Sequence, residues 1–477
     1  MREIKYKPLI IIFTGRLLVK TLIVLCMNIM VSCEDFVDIN PPRTEVINET
    51  VFSNDEAALS TVNGIYSLMM TNISFTRAGL EQYTGLYSDE LINLSFRTED
   101  AEFAFNNLVP ENGNVFQLFW QEPYVYINNA NVILEGLGNA TGITDLTRQQ
   151  LRGEALFIRA FCHFYLVNLF GDVPYITSTD FEVNSRVTRE PVTQIYEQIV
   201  MDLLKATELL VDDFSFANGE RIRPNKSVAT ALLARVYLYN EEWVKAEEQA
   251  TMIIEQVDVY GLEDNLNNVF VSSSRETIWQ LKPVIPNTNT PQGDLFVLEG
   301  RSFGGFINPV YLSQNVVNDF ETNDNRRMMW IGEVDDGGNT FHFPNKYKIR
   351  GTLEPLTEYS VVFRLAEQYL IRAEARTQQN NITGAQQDLN VIRNRSGLGD
   401  TPASDPDSLL TAIEKDRRVE LFAEWGHRWF DLKRTGRVDA ILSAIPEKDW
   451  QSTDVLWPIP EQEILNNPNL LPQNLGY

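Results

Sequence analysis

Cysteine and histidine are scarce in this chain, with three of each in 477 residues. There is no CxxC pair, and His163, His342 and His427 stand apart, without HExxH or any other spacing that would bring two imidazoles to one metal. A metal-centred or disulfide-stapled protein is therefore not expected. The motifs GxSxG, GxGxxG and GxxxxGK[ST] are also missing, which removes the nucleophile elbow, the dinucleotide fold and the P-loop. Positive charge is short as well: 40 Lys and Arg face 65 Asp and Glu, a formal net charge of -25. Nucleic acid and anionic lipid surfaces are held by cations that neutralise phosphates, so neither is expected as a partner. No cofactor is implied.

The chain does have enough apolar material for a sizeable core, 44% of residues, and 11% aromatic side chains. Its N-terminus sets the compartment. Arg2, Lys5, Lys7, Arg16 and Lys20 precede a run from Thr21 to Val31 that is apolar but for Thr21 and Asn28. That run is too short for a bilayer span and has the layout of an export signal. Met30-Val31-Ser32-Cys33 resembles a bacterial lipobox, with Met30 in place of the usual Leu. Cleavage there would make Cys33 a lipidated first residue and leave a mature charge of -29. The acidic, proline-bearing stretch 34–42 reads as a tether. Cys26 falls in the signal, so Cys162 is left alone in an apolar helical run. It reads as a small core residue, as does its neighbour His163.

Helical periodicity is read over 54–70, 116–137, 151–170, 193–210, 226–258, 361–379, 383–395, 408–424 and 437–443. Residues 71–115 and 261–360 are irregular, with a strand at Thr277–Leu281. The longer of the two exceeds a plain loop and reads as a structured insertion. Ala234 is followed at +12, +16 and +19 by Ala246, Ala250 and Ile253. Ala373 is followed at the same offsets by Ala385, Leu389 and Ile392. Small residues there let two helices approach closely, as in tetratricopeptide pairs.

Catalysis finds little support. Asp89-Glu90, Glu99-Asp100 and Asp335-Asp336 are the acid pairs that could serve glycoside hydrolysis, and adjacent loop acids are ordinarily solvated. The charged and aromatic segment Arg417–Arg434 reads as an ion-paired corner, with Glu420 and Glu424 one turn apart.

Several segments in order resemble the SusD/RagB family of outer-membrane lipoproteins from Bacteroidetes. They are Arg152–Tyr175 (RGEALFIRAFCHFYLVNLFGDVPY), Ala231–Leu238 (ALLARVYL), Phe363–Ala375 (FRLAEQYLIRAEA) and Arg417–Arg434 (RRVELFAEWGHRWFDLKR). Leu456–Pro460 (LWPIP), Asn467–Leu470 and Gln473–Tyr477 complete the set. The resemblance implies a mainly α fold, with tetratricopeptide-like helix pairs supporting a loop-rich ligand face that carries a few short strands. It implies one compact unit, with a signal over 1–32, an N-terminal part over 33–225 and a C-terminal part over 226–477 that carries the insertion 261–360. It further implies a surface-exposed, lipid-anchored, non-enzymatic lid on a SusC-like TonB-dependent transporter, capturing oligosaccharide or polysaccharide. A peptide ligand is the alternative, and a surface glycoside hydrolase a more distant one. Aromatics stack on the C–H faces of sugar rings, so Phe96, Phe103, Phe105, Phe303, Phe306 and Trp330 are the expected platform. Arg97, Asn106 and Arg301 are the expected polar partners, and Trp120 reads as packing.

Overall fold

The computed structural model describes residues 51–71, 74–286, 288–299, 309–351 and 356–477. Cys33, Arg301, Phe303 and Phe306 lie outside the described residues. Among those described, no helix is long and apolar enough to cross a membrane.

The scaffold is a succession of helices, each packed on the next. Helix α1 (Asp55–Thr71) lies across the start, burying Ala58, Val62, Ile65 and Met69 at helical spacing. Helices α2 (Leu80–Tyr87) and α3 (Thr98–Phe105) are short and belong to the first loop region. Helix α4 (Glu122–Asn139) packs on α5 (Asp145–Phe170), and α5 packs on α6 (Val192–Leu209). The sequence explains α5: Thr144 caps it by accepting the Thr147 N–H, and Gly171 at φ +74 ends it. Nearly every side chain from Leu151 to Phe170 is buried, so α5 forms the axis of the core. Cys162 is among them, and burial pushes its thiol well up. His163 is held by the Arg159 carbonyl at 2.8 Å, and burial pushes its imidazole down to about 3.

The helical stretch 226–258 is a pair, α7 (Lys226–Tyr239) and α8 (Trp243–Ile254), broken where Glu241 takes a left-handed φ of 58. The same break recurs between α9 (Leu365–Gln378) and α10 (Ile382–Arg395), where Asn380 sits at φ 63. Ala234, Ala246, Ala250 and Ile253, like Ala373, Ala385, Leu389 and Ile392, are all fully buried, so both sets of matched offsets mark helix–helix seams. Helix α11 (Pro406–Leu421) packs on α9 and α10, and α12 (His427–Arg434) follows a left-handed turn at Ala423, Trp425 and Gly426. One buried cluster runs from Phe52 to Leu470.

Strands are few. β1 (Leu91–Asn93) pairs antiparallel with β3 (Val310–Leu312), and β2 (Thr277–Leu281) with β6 (Ser360–Arg364). β4 (Ile331–Asp336) and β5 (Asn339–Pro344) form a hairpin whose turn, Gly337-Gly338, has positive φ at both residues. The helical reading of 361–379 is thus corrected at its start. The β-branched pair Val361-Val362 is drawn into β6 by pairing with β2, and the helix begins only at Leu365.

The insertion is joined to the scaffold by a buried ionic junction. The Arg364 guanidinium donates to Glu276 (2.9 Å), Glu420 (2.6 Å) and Glu424 (2.8 Å). Arg326 donates to Asp324 (2.8 Å), Asp416 (2.9 Å) and Glu420 (3.1 Å). Arg395 pairs with Glu276 at 2.7 Å and also with Glu420. Burial alone would raise the Glu420 carboxyl, but Arg395, Arg364 and Arg326 together hold it well below the usual carboxylate range. The Arg417–Arg434 corner is held in the same way, with Asp431 accepting from Arg417 at 2.9 Å and Arg434 at 2.8 Å.

Candidate functional site

A cleft of about 490 Å³ opens where the two loop regions meet. One wall comes from the kinked π-helical turn Phe75–Gly79 and from α2; the other comes from Pro291, Asp294, Leu295 and Pro309. The kink has a clear local cause. Ser74 accepts the Arg77 N–H through its hydroxyl at 3.1 Å, and its carbonyl accepts the Gly79 N–H at 3.1 Å. A Cβ at Gly79 would lie 2.4 Å from that carbonyl oxygen, so only glycine closes the turn. Ala78 is forced to φ 65, a left-handed conformation that costs a non-glycine residue about 1 kcal/mol. Strain of this kind persists only where the surroundings impose it. Here it places Arg77 in the cleft wall.

The Arg77 guanidinium has no hydrogen-bond partner among the described residues. Burial lowers its pKa, and the Asp294 carboxylate partly restores it. The same cleft holds a hydrogen-bonded set. Asp100 accepts from the Tyr83 hydroxyl (2.9 Å) and from the Asn114 carboxamide (3.1 Å), and Arg97 donates to Asn114 at 3.4 Å. Burial, and then the charge of Asp100, push the Tyr83 phenol up, so it stays a donor. Asn112 fixes Asn114 by accepting the N–H groups of residues 114 and 115 at 3.0 Å each. Gln82 and Gln117 add carboxamides at the rim. The cleft thus presents two guanidiniums, three carboxamides, a phenol and two carboxylates to whatever enters. That is chemistry for holding a polyhydroxylated ligand by many hydrogen bonds.

The expected site residues divide sharply. Arg97 lines the cleft, and Phe96 beside it in sequence is 89% exposed. Phe105 is partly exposed, and its carbonyl accepts the Asp449 N–H. Three others are corrected. Phe103 is fully buried against Tyr83 and Trp457, with ring centroids 4.6 and 5.1 Å away. Asn106 is a buried left-handed helix cap whose amide donates to the Tyr87 carbonyl at 2.8 Å. Trp330 is also fully buried; its indole donates to the Leu266 carbonyl at 3.0 Å, and the Lys346 ammonium lies 4.8 Å from its ring centroid. A ring without surface cannot stack on a sugar. The packing reading of Trp120 stands, since it is 2% exposed.

Arg77, Tyr83, Asn114, Gln117 and Asp294 were not expected as site residues. They carry no periodic signal, and only the polar interruption of apolar runs around Arg77 and Gln117 could have marked them. The Asp89-Glu90 pair is buried. Burial would raise Asp89, but Arg418 and Arg428 hold it below the usual carboxylate range. Burial pushes its neighbour Glu90 up to about 7. Asp335 is an exposed hairpin residue that accepts from Thr340. Among the described residues no group of three or more His, Cys, Asp or Glu could hold a metal ion.

Residues 177–477 match the family model described as "SusD family", and residues 35–238 match one described as "Starch-binding associating with outer membrane". SusD-like protein P2 of Formosa agariphila is 28% identical over 520 residues, covering 96% of this chain and 99% of that one. Starch-binding protein SusD of Bacteroides thetaiotaomicron is 26% identical over 155 residues, 31% of this chain and 27% of that one. Among solved structures, a SusD superfamily protein from Bacteroides vulgatus superposes with a TM-score of 0.77 at 19% identity, covering 89% of this chain and 99% of its own. A laminarin-binding SusD-like protein superposes at 0.75 with 24% identity, covering 89% of this chain and all of its own.

Proposed function

Because the chain belongs to the SusD family, we propose that it is a non-enzymatic binding lipoprotein of the outer membrane that captures oligosaccharide or polysaccharide in the Arg77 cleft. Lipidation at Cys33 would tether it to the cell surface, and a SusC-like TonB-dependent transporter would receive the captured ligand. The observation that carries this reading is the cleft itself. A strained turn sets a half-buried guanidinium, without a hydrogen-bond partner among the described residues, in the same cleft as the fixed Tyr83–Asp100–Asn114 set. Such donors and acceptors, already ordered, lose little entropy when a hydroxylated ligand replaces water. The names of two relatives, one starch-binding and one laminarin-binding, support a glycan as the ligand class.

The test is affinity electrophoresis of residues 34–477 against a panel of soluble polysaccharides, with Arg77→Ala alongside. Retardation by at least one glycan is expected, weakened about tenfold or more in the variant, as for the loss of a charge-assisted hydrogen bond. Retardation by none, with binding to a peptide library instead, would turn the reading to peptide capture.

A further inference from the structure

A second and larger cleft, about 810 Å³, borders the same helical stretch as the first. Gln117 lines the Arg77 cleft; Gln121, four residues on in the π-helical stretch Val115–Gln121, lines the second. The same helical stretch therefore contributes side chains to both clefts.

The lining of this second cleft is chemically distinct. It contains no Lys or Arg, and its one charged residue is Glu463. Phe181, held by a short helix that Asp180 caps, is 80% exposed and projects a bare ring. Trp120 and Tyr124 close the floor, the Tyr124 hydroxyl being spent on the Pro174 carbonyl at 2.9 Å. The carboxamides of Gln121, Asn128 and Asn466 also line the cleft and have no hydrogen-bond partner among the described residues.

A bare ring beside free carboxamides matches a sugar ring, which offers an apolar C–H face and hydroxyls that both donate and accept. The missing cations argue against anionic ligands, and a lone carboxylate would repel them. We infer that the Phe181 cleft is a second sugar-binding site, selective for uncharged sugar units, and that one glycan chain occupies both clefts by running over Gln117 and Gln121. This rests on the reading of the Arg77 cleft as a glycan site.

Two linked sites give an avidity that a short ligand cannot reach. The test takes residues 34–477, the polysaccharide most strongly retained in the panel and short oligosaccharides cut from it, and measures affinity by isothermal titration calorimetry. Phe181→Ala removes only an exposed ring and leaves the fold untouched; Asn128→Ala serves as a second probe. For the polymer, both variants should lose affinity by about tenfold or more. For oligosaccharides too short to span both clefts, saturation should require two equivalents in the wild type and one in Phe181→Ala. Polymer affinity unchanged in both variants, together with a single equivalent that Arg77→Ala alone abolishes, would overturn the second site and leave the first. Binding by no polysaccharide would overturn both.

Discussion

Single side chains carry the clearest tests. Glu81 is buried at the head of α2, and one carboxylate oxygen accepts from Gln292 at 3.0 Å. Burial raises its pKa from 4.5 to about 7, against the Gln292 hydrogen bond. The folded chain therefore holds a proton that the unfolded chain releases between those values. The resulting stabilisation is complete below pH 4.5 and lost as pH rises through 7. Glu81→Gln, neutral at every pH, should match the wild type near pH 4.5 and exceed it at pH 8 by on the order of 1–3 kcal/mol, read from urea midpoints. Trp330→Ala should cost about 3–5 kcal/mol of stability, seen as a lower denaturant midpoint. At temperatures where that variant stays folded, it should leave polysaccharide retardation unchanged. The sequence showed that aromatics were plentiful in the insertion, but not which were covered. The cover over Trp330 comes from Lys346, Arg364 and Leu266, residues distant in the chain. Cys162 and His163 were legible because their own helix surrounds them with apolar neighbours.

At the scale of elements, the helix pairs were read well, because a seam between two helices leaves small residues at fixed offsets. Ala246 sits on such a seam with no exposed surface. Ala246→Leu should force α7 and α8 apart and cost about 1–3 kcal/mol, while the helical circular dichroism persists. The breaks inside pairs were less legible. Glu241 takes a left-handed φ without being glycine or asparagine, so nothing local at that position announced the end of α7. β6 was missed because its partner β2 lies about 80 residues earlier, and pairing at that distance leaves no periodic trace. The kink that sets Arg77 was equally silent, since alanine is not a residue whose type announces a φ of 65.

The whole molecule should unfold as one body. The buried cluster includes residues on both sides of position 225, and Asp89 of the N-terminal part is held by Arg418 and Arg428 of the C-terminal part at 2.8 and 2.7 Å. Fluorescence and circular dichroism should therefore report coincident urea transitions for 34–477. Expressed separately, 34–225 and 226–477 should each lack a cooperative transition; independent folding of either would show two domains. At this scale the acidic charge and the ordered segments were informative, whereas the clefts, built from residues far apart in sequence, were not.

The carboxylate of Glu420 also has a mechanical meaning. Three guanidiniums grip it, and freeing it would strand buried charge at a cost of about 3–5 kcal/mol, several times thermal energy. Helix α2, which lines the Arg77 cleft, leads directly into Asp89 and Glu90, and these are clamped to the same end of α11 by Arg418 and the Ala423 N–H. A push on the helical scaffold thus reaches the cleft as displacement, with little of it absorbed as deformation. The cleft moves like a cup on a stiff handle: its position can be changed by force applied far away while its shape is kept.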